Sequence, residues 1–334
     1  MASDPRELLR ELDGRERAIL NAIYEHKVLL TEHVKAMFFT SLRRAQDRLR
    51  HLARLGLIET WYPLQPRAAG KAPGHHTLAE SGAQVVASLL GVARSEIRWA
   101  AREAEDREQD RYLAHRLGVN AFFCSLIEAG LEHDGHGLYK WVPERTVRTA
   151  AGWLRPDGYG VYLHPQGACD FYFEYDRGTE TTRQLANKLA GYVGVARDWT
   201  GHETEHFPNL LILVPKLTRE RTVSLALTDA LARFKNSERL GVPPFFVASE
   251  VAVAASGVLG RVWTPIQKLD GRLSIIELPT SKGVSYDLSD CIGRCFTGSE
   301  QRWAHLMPLS RRPRFPTGAP PSDDEQDHGE GVVA

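Results

Sequence analysis

The shortages of this chain are its first guide. It has four cysteines in 334 residues, Cys124, Cys169, Cys291 and Cys295, at spacings that match neither a disulfide framework nor a zinc pattern. That scarcity predicts a reduced compartment and excludes a fold stapled by disulfides. No run of about 18 apolar residues occurs, and no basic-then-apolar leader opens the sequence, so a soluble, cytoplasmic protein with no membrane partner is expected. Net charge is lacking too, with 42 Lys and Arg against 42 Asp and Glu. A global basic field that draws a protein to nucleic acid is thereby excluded, and any such attraction has to come from a local patch. His202-Glu203-Thr204-Glu205-His206 matches the zinc-protease pattern in letters only. Gly201 before it and Pro208 after it deny the helix that would put both histidines on one face.

Apolar residues, at 43%, are enough to bury substantial cores, and the length suggests about two domains. Residues 13 to 26 read as a helix capped by Asp13, with Ile19, Leu20, Ile23 and Tyr24 in an apolar stripe. A short helix follows from Thr31, with Val34, Met37 and Phe38. A third spans 42 to 55, capped by Thr40 or Ser41 and stopped by Gly56, with Leu42, Ala45, Leu49, Leu52 and Ala53 facing inward. Residues 57 to 62 alternate like a strand, 63 to 74 are turn-rich, and 75 to 78 return as its partner before a helix at 79 to 90. Between Ser41 and Lys71 stand seven Arg or Lys against Asp47 and Glu59, a local net of +5. The neutral total conceals a basic patch of the kind that neutralises phosphates.

Residues 94 to 111 alternate acidic and basic, which predicts an exposed connecting helix or a dimer contact. Tyr112 to Ile127 is amphipathic and ends near Gly130. Strand-like runs follow at 138 to 142, 158 to 163 and 170 to 176. In the last, Glu174 and Asp176 share a face, because side chains two apart on a strand do. Together with Asp157 they place three carboxylates where neighbouring strands aim them at one point, the way a divalent-metal site is built. A helix from Thr179 to about Ala196 carries Gln184, Lys188 and Tyr192 every four residues on one face. A buried strand at 210 to 214, a helix at 222 to 234, and strands at 244 to 249 and 262 to 265 complete an α/β sheet.

The order of three helices, a hairpin and a helix, with Leu52-Ala53-Arg54-Leu55-Gly56-Leu57-Ile58 at the exit of the third, resembles a winged helix-turn-helix. The resemblance implies that the third helix enters the major groove of double-stranded DNA while the wing touches the backbone. It assigns Arg43, Arg44, Gln46, Arg48 and Arg50 on the helix, and Arg67 and Lys71 in the wing, to DNA contact. The second part resembles the PD-(D/E)XK nuclease core. Within that superfamily, Arg155-Pro156-Asp157-Gly158, Phe173-Glu174-Tyr175-Asp176-Arg177-Gly178-Thr179-Glu180 and the segment Lys188 to Tyr192 are similar to the replication-relaxation family of bacterial plasmid and mobile-element proteins. That family also carries an N-terminal winged helix. The likeness covers roughly residues 13 to 265.

The fold so implied is α+β or α/β, a winged helix-turn-helix followed by a restriction-endonuclease-like mixed sheet. The expected limits are 1–91 for the first domain, 92–110 for a charged linker helix, 111–280 for the second domain, 281–310 for an extension and 311–334 for a disordered acidic tail. Carried over residue by residue, Asp157 and Glu174 match the metal-binding acids, for Mg²⁺ or Mn²⁺ in an active enzyme. The motif places a lysine two residues after the Glu, where this chain has Asp176. Either Lys188 restores the catalytic cation from the next helix, with Asp176, Gln184 and Tyr192 as helpers, or the core is an inactive nuclease-like one used for binding. The resemblance therefore implies a DNA-binding protein assisting replication, relaxation or conjugative mobilisation, with relaxase or replication proteins as partners and a homodimer as an assembly. A metal-dependent nuclease guided by its winged helix, and a winged-helix transcriptional regulator, are the alternatives.

Overall fold

The computed structural model describes residues 5–63, 72–97, 112–147, 154–197, 207–234, 244–266, 271–279 and 286–294. Arg67 and Lys71, most of the charged linker, the 202–206 segment, Cys295 and the acidic tail lie outside the described residues. Among the described residues no helix is long and apolar enough to cross a membrane.

The N-terminal part opens with α1 (Pro5–Glu11), which the periodicity did not predict, and α2 (Gly14–His26). Asp13 and Glu16 form a reciprocal capping box, with bonds of 2.7 and 2.9 Å that fix where α2 begins. A two-residue β1 (Leu29–Leu30) leads into α3 (Thr31–Phe38), and Ser41 caps α4 (Leu42–Arg54). Ala45, Leu49 and Leu52 are the inward face of α4, and Gly56, at φ 70°, ends it in the left-handed conformation. The hairpin β2 (Ile58–Trp61) and β3 (His75–Leu78) pairs Ile58 with Leu78, and β1 adds to β3 to give the order β1-β3-β2. Helix α5 (Glu80–Leu90) closes this part.

Helix α6 (Leu113–Glu132) then crosses to a six-stranded mixed sheet. Its first three strands, β4 (Gly137–Pro143), β5 (Gly158–His164) and β6 (Gly167–Tyr175), are antiparallel. After α7 (Thr182–Arg197) come β7 (Asn209–Val214), parallel to β6, then α8 (Leu217–Ala232) and β8 (Phe245–Ser249), parallel to β7. Helix α9 (Glu250–Ser256) and the edge strand β9 (Thr264–Pro265), antiparallel to β8, complete the order β4 to β9. The architecture is mixed α/β, as the sequence implied.

Period-two alternation in β6 sorts its side chains between two cores. Phe171 and Phe173 face α6, where Phe173 stacks on Phe122 at 4.0 Å. Tyr172 belongs to the opposite core, with Leu185, Leu189 and Tyr192 of α7. The α6 core runs without a break into the N-terminal helices, so α6 is shared between the two parts. Asn120 donates to the Val28 carbonyl at 3.0 Å and Lys35 pairs with Glu128 at 2.7 Å across the same junction.

Two helix starts differ from the sequence reading. Helix α7 begins at Thr182, because Asp176 accepts from Gly178 N–H in a turn and Gly178 sits at φ 80°. Helix α8 begins at Leu217, five residues early, because its first turn is charged or exposed and the apolar stripe starts only at Val223.

Candidate functional site

On α4, Arg43, Arg44, Gln46, Asp47, Arg50 and Arg54 are exposed. Their face follows from the burial of Ala45, Leu49 and Leu52 on the other side, at helical spacing. Arg50 pairs with Asp47 along the helix. Arg48 is different: its guanidinium is turned to the start of α2, 3.0 Å from Asp13 and 2.7 Å from Glu16. It clamps α4 onto the capping box. Between α4 and the β2–β3 hairpin runs a groove of about 1110 Å³ lined by Gln46, Asp47, Arg50 and Arg54 on one side and Thr60, Tyr62 and His76 on the other. Beneath it, buried His76 bonds Thr31 at 2.9 Å and Thr60 at 3.0 Å, and burial, aided by His75, lowers its pKa to about 4.

The carboxylates separate into two groups. The antiparallel register Gly158↔Phe173, carried one step on, sets Asp157 opposite Glu174. Glu174, 3% exposed, accepts from Lys188 Nζ at 2.7 Å on one oxygen and from Tyr192 Oη at 2.6 Å on the other. Lys188 and Tyr192 reach it together because they are one turn apart on α7. Asp157 accepts from the Tyr175 N–H at 2.8 Å and meets His115 Nε2 at 3.0 Å. Asp176 leaves the cluster: Arg219 of α8 holds it at 2.6 Å, and Gly178 N–H takes its other oxygen. Gln184 is exposed and turns back on Thr181, accepting from its N–H at 2.8 Å at the start of α7.

His115 was missed by the sequence reading, which had no local signal for it: it stands 42 positions before Asp157 at the start of a helix read as packing. Tyr175 seats it, with ring centroids 5.6 Å apart, and Tyr175 in turn bonds Glu250 at 2.7 Å. The Tyr175 ring lies so close to α6 that a Cβ at Gly118 would fall 2.1 Å from it. Burial opposes a charge on His115, yet the hydrogen bond and charge of Asp157, with Glu174 further off, hold its pKa above the ordinary value. Asp157 is held below the usual carboxylate range against its burial, by His115, Lys188 and the Tyr175 N–H.

Burial likewise pushes the Glu174 carboxyl up and opposes a charge on Lys188, whose pKa the charges of Glu174, Asp157 and Glu180 nevertheless raise. With a donor on each oxygen of Glu174, the ionised pair is the form these surroundings satisfy. A hard divalent ion requires free oxygen ligands. Each oxygen of Asp157 and Glu174 already meets a protein donor, and the Lys188 ammonium supplies the local cation. Among the described residues no group of three His, Cys, Asp or Glu is placed to hold a metal. The donor set in this arrangement therefore fits a metal poorly.

A family model described as Replication-relaxation matches residues 20–210, more than half of the chain. No curated protein and no solved structure matches it.

Proposed function

The chain belongs to the replication-relaxation family, and from that premise we propose that it binds double-stranded DNA through α4 and so assists replication or mobilisation of a bacterial plasmid or mobile element. The observation that carries the reading is the exposed face of α4: Arg43, Arg44, Gln46 and Arg50 stand together on a helix whose other face is buried. In this reading the N-terminal part is a winged helix with α4 as its reading helix, and the hairpin that adjoins α4 supports it. Arg50 and Arg54 in the wall of the groove between α4 and the hairpin support the same reading.

Replacing Arg43 and Arg44 by Ala tests this reading. Each lost phosphate contact removes about 0.9 from the slope of log affinity on log salt, so the double variant is expected to flatten the slope by about 2 and to weaken binding at low salt. An unchanged slope removes α4 from the interface.

We read the Glu174, Lys188 and Asp157 cluster as an ionic keystone of the sheet rather than a cleaving centre. The occupied oxygens support that reading, whereas the lysine supplied by α7 favours the metal-dependent nuclease. A nicking assay with Mg²⁺ and with Mn²⁺ separates the two. Cleavage lost in both Asp157→Ala and Lys188→Ala establishes the enzyme, and its absence in the wild type on linear, supercoiled and single-stranded DNA supports the keystone.

A further inference from the structure

At about 100° per residue, the direction opposite the buried stripe of α4 passes within roughly 15° of Asp47, and Arg43 and Arg50 lie within roughly 50° of it. Arg44 and Gln46 stand about 75–90° away, at the two flanks of the exposed face. A helix seated in a major groove turns its flanks to the two phosphate backbones and its centre to the base edges. A face built only to neutralise phosphates has no use for a carboxylate at its centre, where the anion opposes the attraction. Asp47 stands there nevertheless. It accepts from Nη2 of Arg50, one turn further along, and both residues line the groove between α4 and the hairpin.

The two side chains are 73% and 53% exposed, so water screens the pair and it adds little to the stability of the fold. Its effect is geometric. An unheld guanidinium on an exposed helix swings to whichever phosphate is nearest. One gripped through Nη2 keeps its plane and offers its remaining N–H donors as a fixed fork. The acceptor pair that such a fork matches in the major groove is O6 and N7 of guanine. Among the described residues, Arg48 and Arg50 are the arginines of α4 that a carboxylate holds, and Arg48 is turned to Asp13 and Glu16 at the start of α2. Arg50 alone of the two stays on the outward face.

We propose that Arg50 reads a guanine of double-stranded DNA through O6 and N7, and that Asp47 is the positioning residue that holds the Arg50 guanidinium for that contact. The contact rests on α4 being the reading helix. It adds the division of labour on that helix, with Arg43 and Arg44 for phosphate and Arg50 for sequence.

The full chain and two variants, Asp47→Ala and Arg50→Lys, are used to select duplexes with a randomised core, and binding to the selected duplex is titrated by fluorescence anisotropy. The wild type is expected to fix a guanine that neither variant fixes, at unchanged melting temperature and unchanged salt slope, since no phosphate contact is altered. Replacing that guanine by 7-deazaguanine, which lacks N7 but pairs normally, should weaken wild-type binding about tenfold and binding by either variant less than about twofold. A guanine preference that persists in Arg50→Lys removes Arg50 as its reader. One that persists in Asp47→Ala reduces the ion pair to an ordinary pair on a solvated helix face, and either result overturns the proposal. A salt slope that depends on Arg43 and Arg44, with no guanine selected, overturns the base contact and leaves α4 as the DNA-binding helix. No saturable binding of any duplex removes both.

Discussion

Replacing Lys188 by Met removes the cation from Glu174 while keeping most of the side chain's apolar length. Glu174 is 3% exposed, so water cannot take the place of the ammonium, and the Tyr192 hydroxyl alone remains on the carboxylate. Breaking a buried pair from one side costs about 3–5 kcal/mol. The Lys188 side chain is itself 32% exposed, so its own desolvation is incomplete, and the lower end, about 3 kcal/mol, applies. Thermal unfolding followed by circular dichroism should record this as a fall of roughly 6–12 °C. The loss depends on pH in a definite sense. Without the lysine, burial and the charge of Asp157 raise the Glu174 pKa against the Tyr192 hydrogen bond alone, so the folded variant holds a proton that the unfolded chain releases. Its stability is retained below the ordinary carboxylate range and falls as pH rises toward the new, higher value. The double variant Glu174→Gln, Lys188→Met removes both charges and should return to within about 1 kcal/mol of the wild type. A loss in Lys188→Met below about 0.5 kcal/mol, or strictly additive single effects, would refute the keystone argument.

Three buried histidines set an acid limit on the fold. Burial lowers the pKa of His26 to about 3 and those of His33 and His76 to about 4, against an ordinary 6.5, with His33 and Arg145 also acting on His26. These are depressed values, so the stability is present above 6.5 and is lost as pH falls toward the folded values. At pH 5 each costs about 2 kcal/mol, roughly 6 kcal/mol for the three. A melting temperature at pH 5 equal to that at pH 8 would contradict the neutral, buried state of these rings. Gly118→Ala should destabilise by about 1–3 kcal/mol by forcing a methyl into the Tyr175 ring. The signature is coupling to Tyr175: the loss caused by Gly118→Ala should shrink in a Tyr175→Leu background, and an equal loss in both backgrounds counts against that packing.

Much of the fold is legible in the sequence because each element's signal is local. The Asp13 and Glu16 pair announces the start of α2, Gly56 the end of α4, and alternation in residues 170 to 176 the strand that carries Glu174. Legibility fails where the signal is charged rather than apolar, as in the first turn of α8, or where a turn consumes residues that read as helix, as at Thr179 before α7.

What the sequence by itself determines is the family, the mixed α/β class and the identity of the polar residues placed just before β5, on β6 and on α7. Periodicity along one strand or one helix is enough for that. Only the tertiary structure decides which partners those residues meet. It gives Glu174 to Lys188 and Tyr192, turns Asp176 away to Arg219, holds Arg48 against α2, and delivers His115 to Asp157 from a helix 42 positions upstream. The physical reason is range. Spacing fixes the face on which a side chain lies within its own element, but a charge buried between elements is settled by whichever opposite charge the packing of separate helices brings within hydrogen-bond reach.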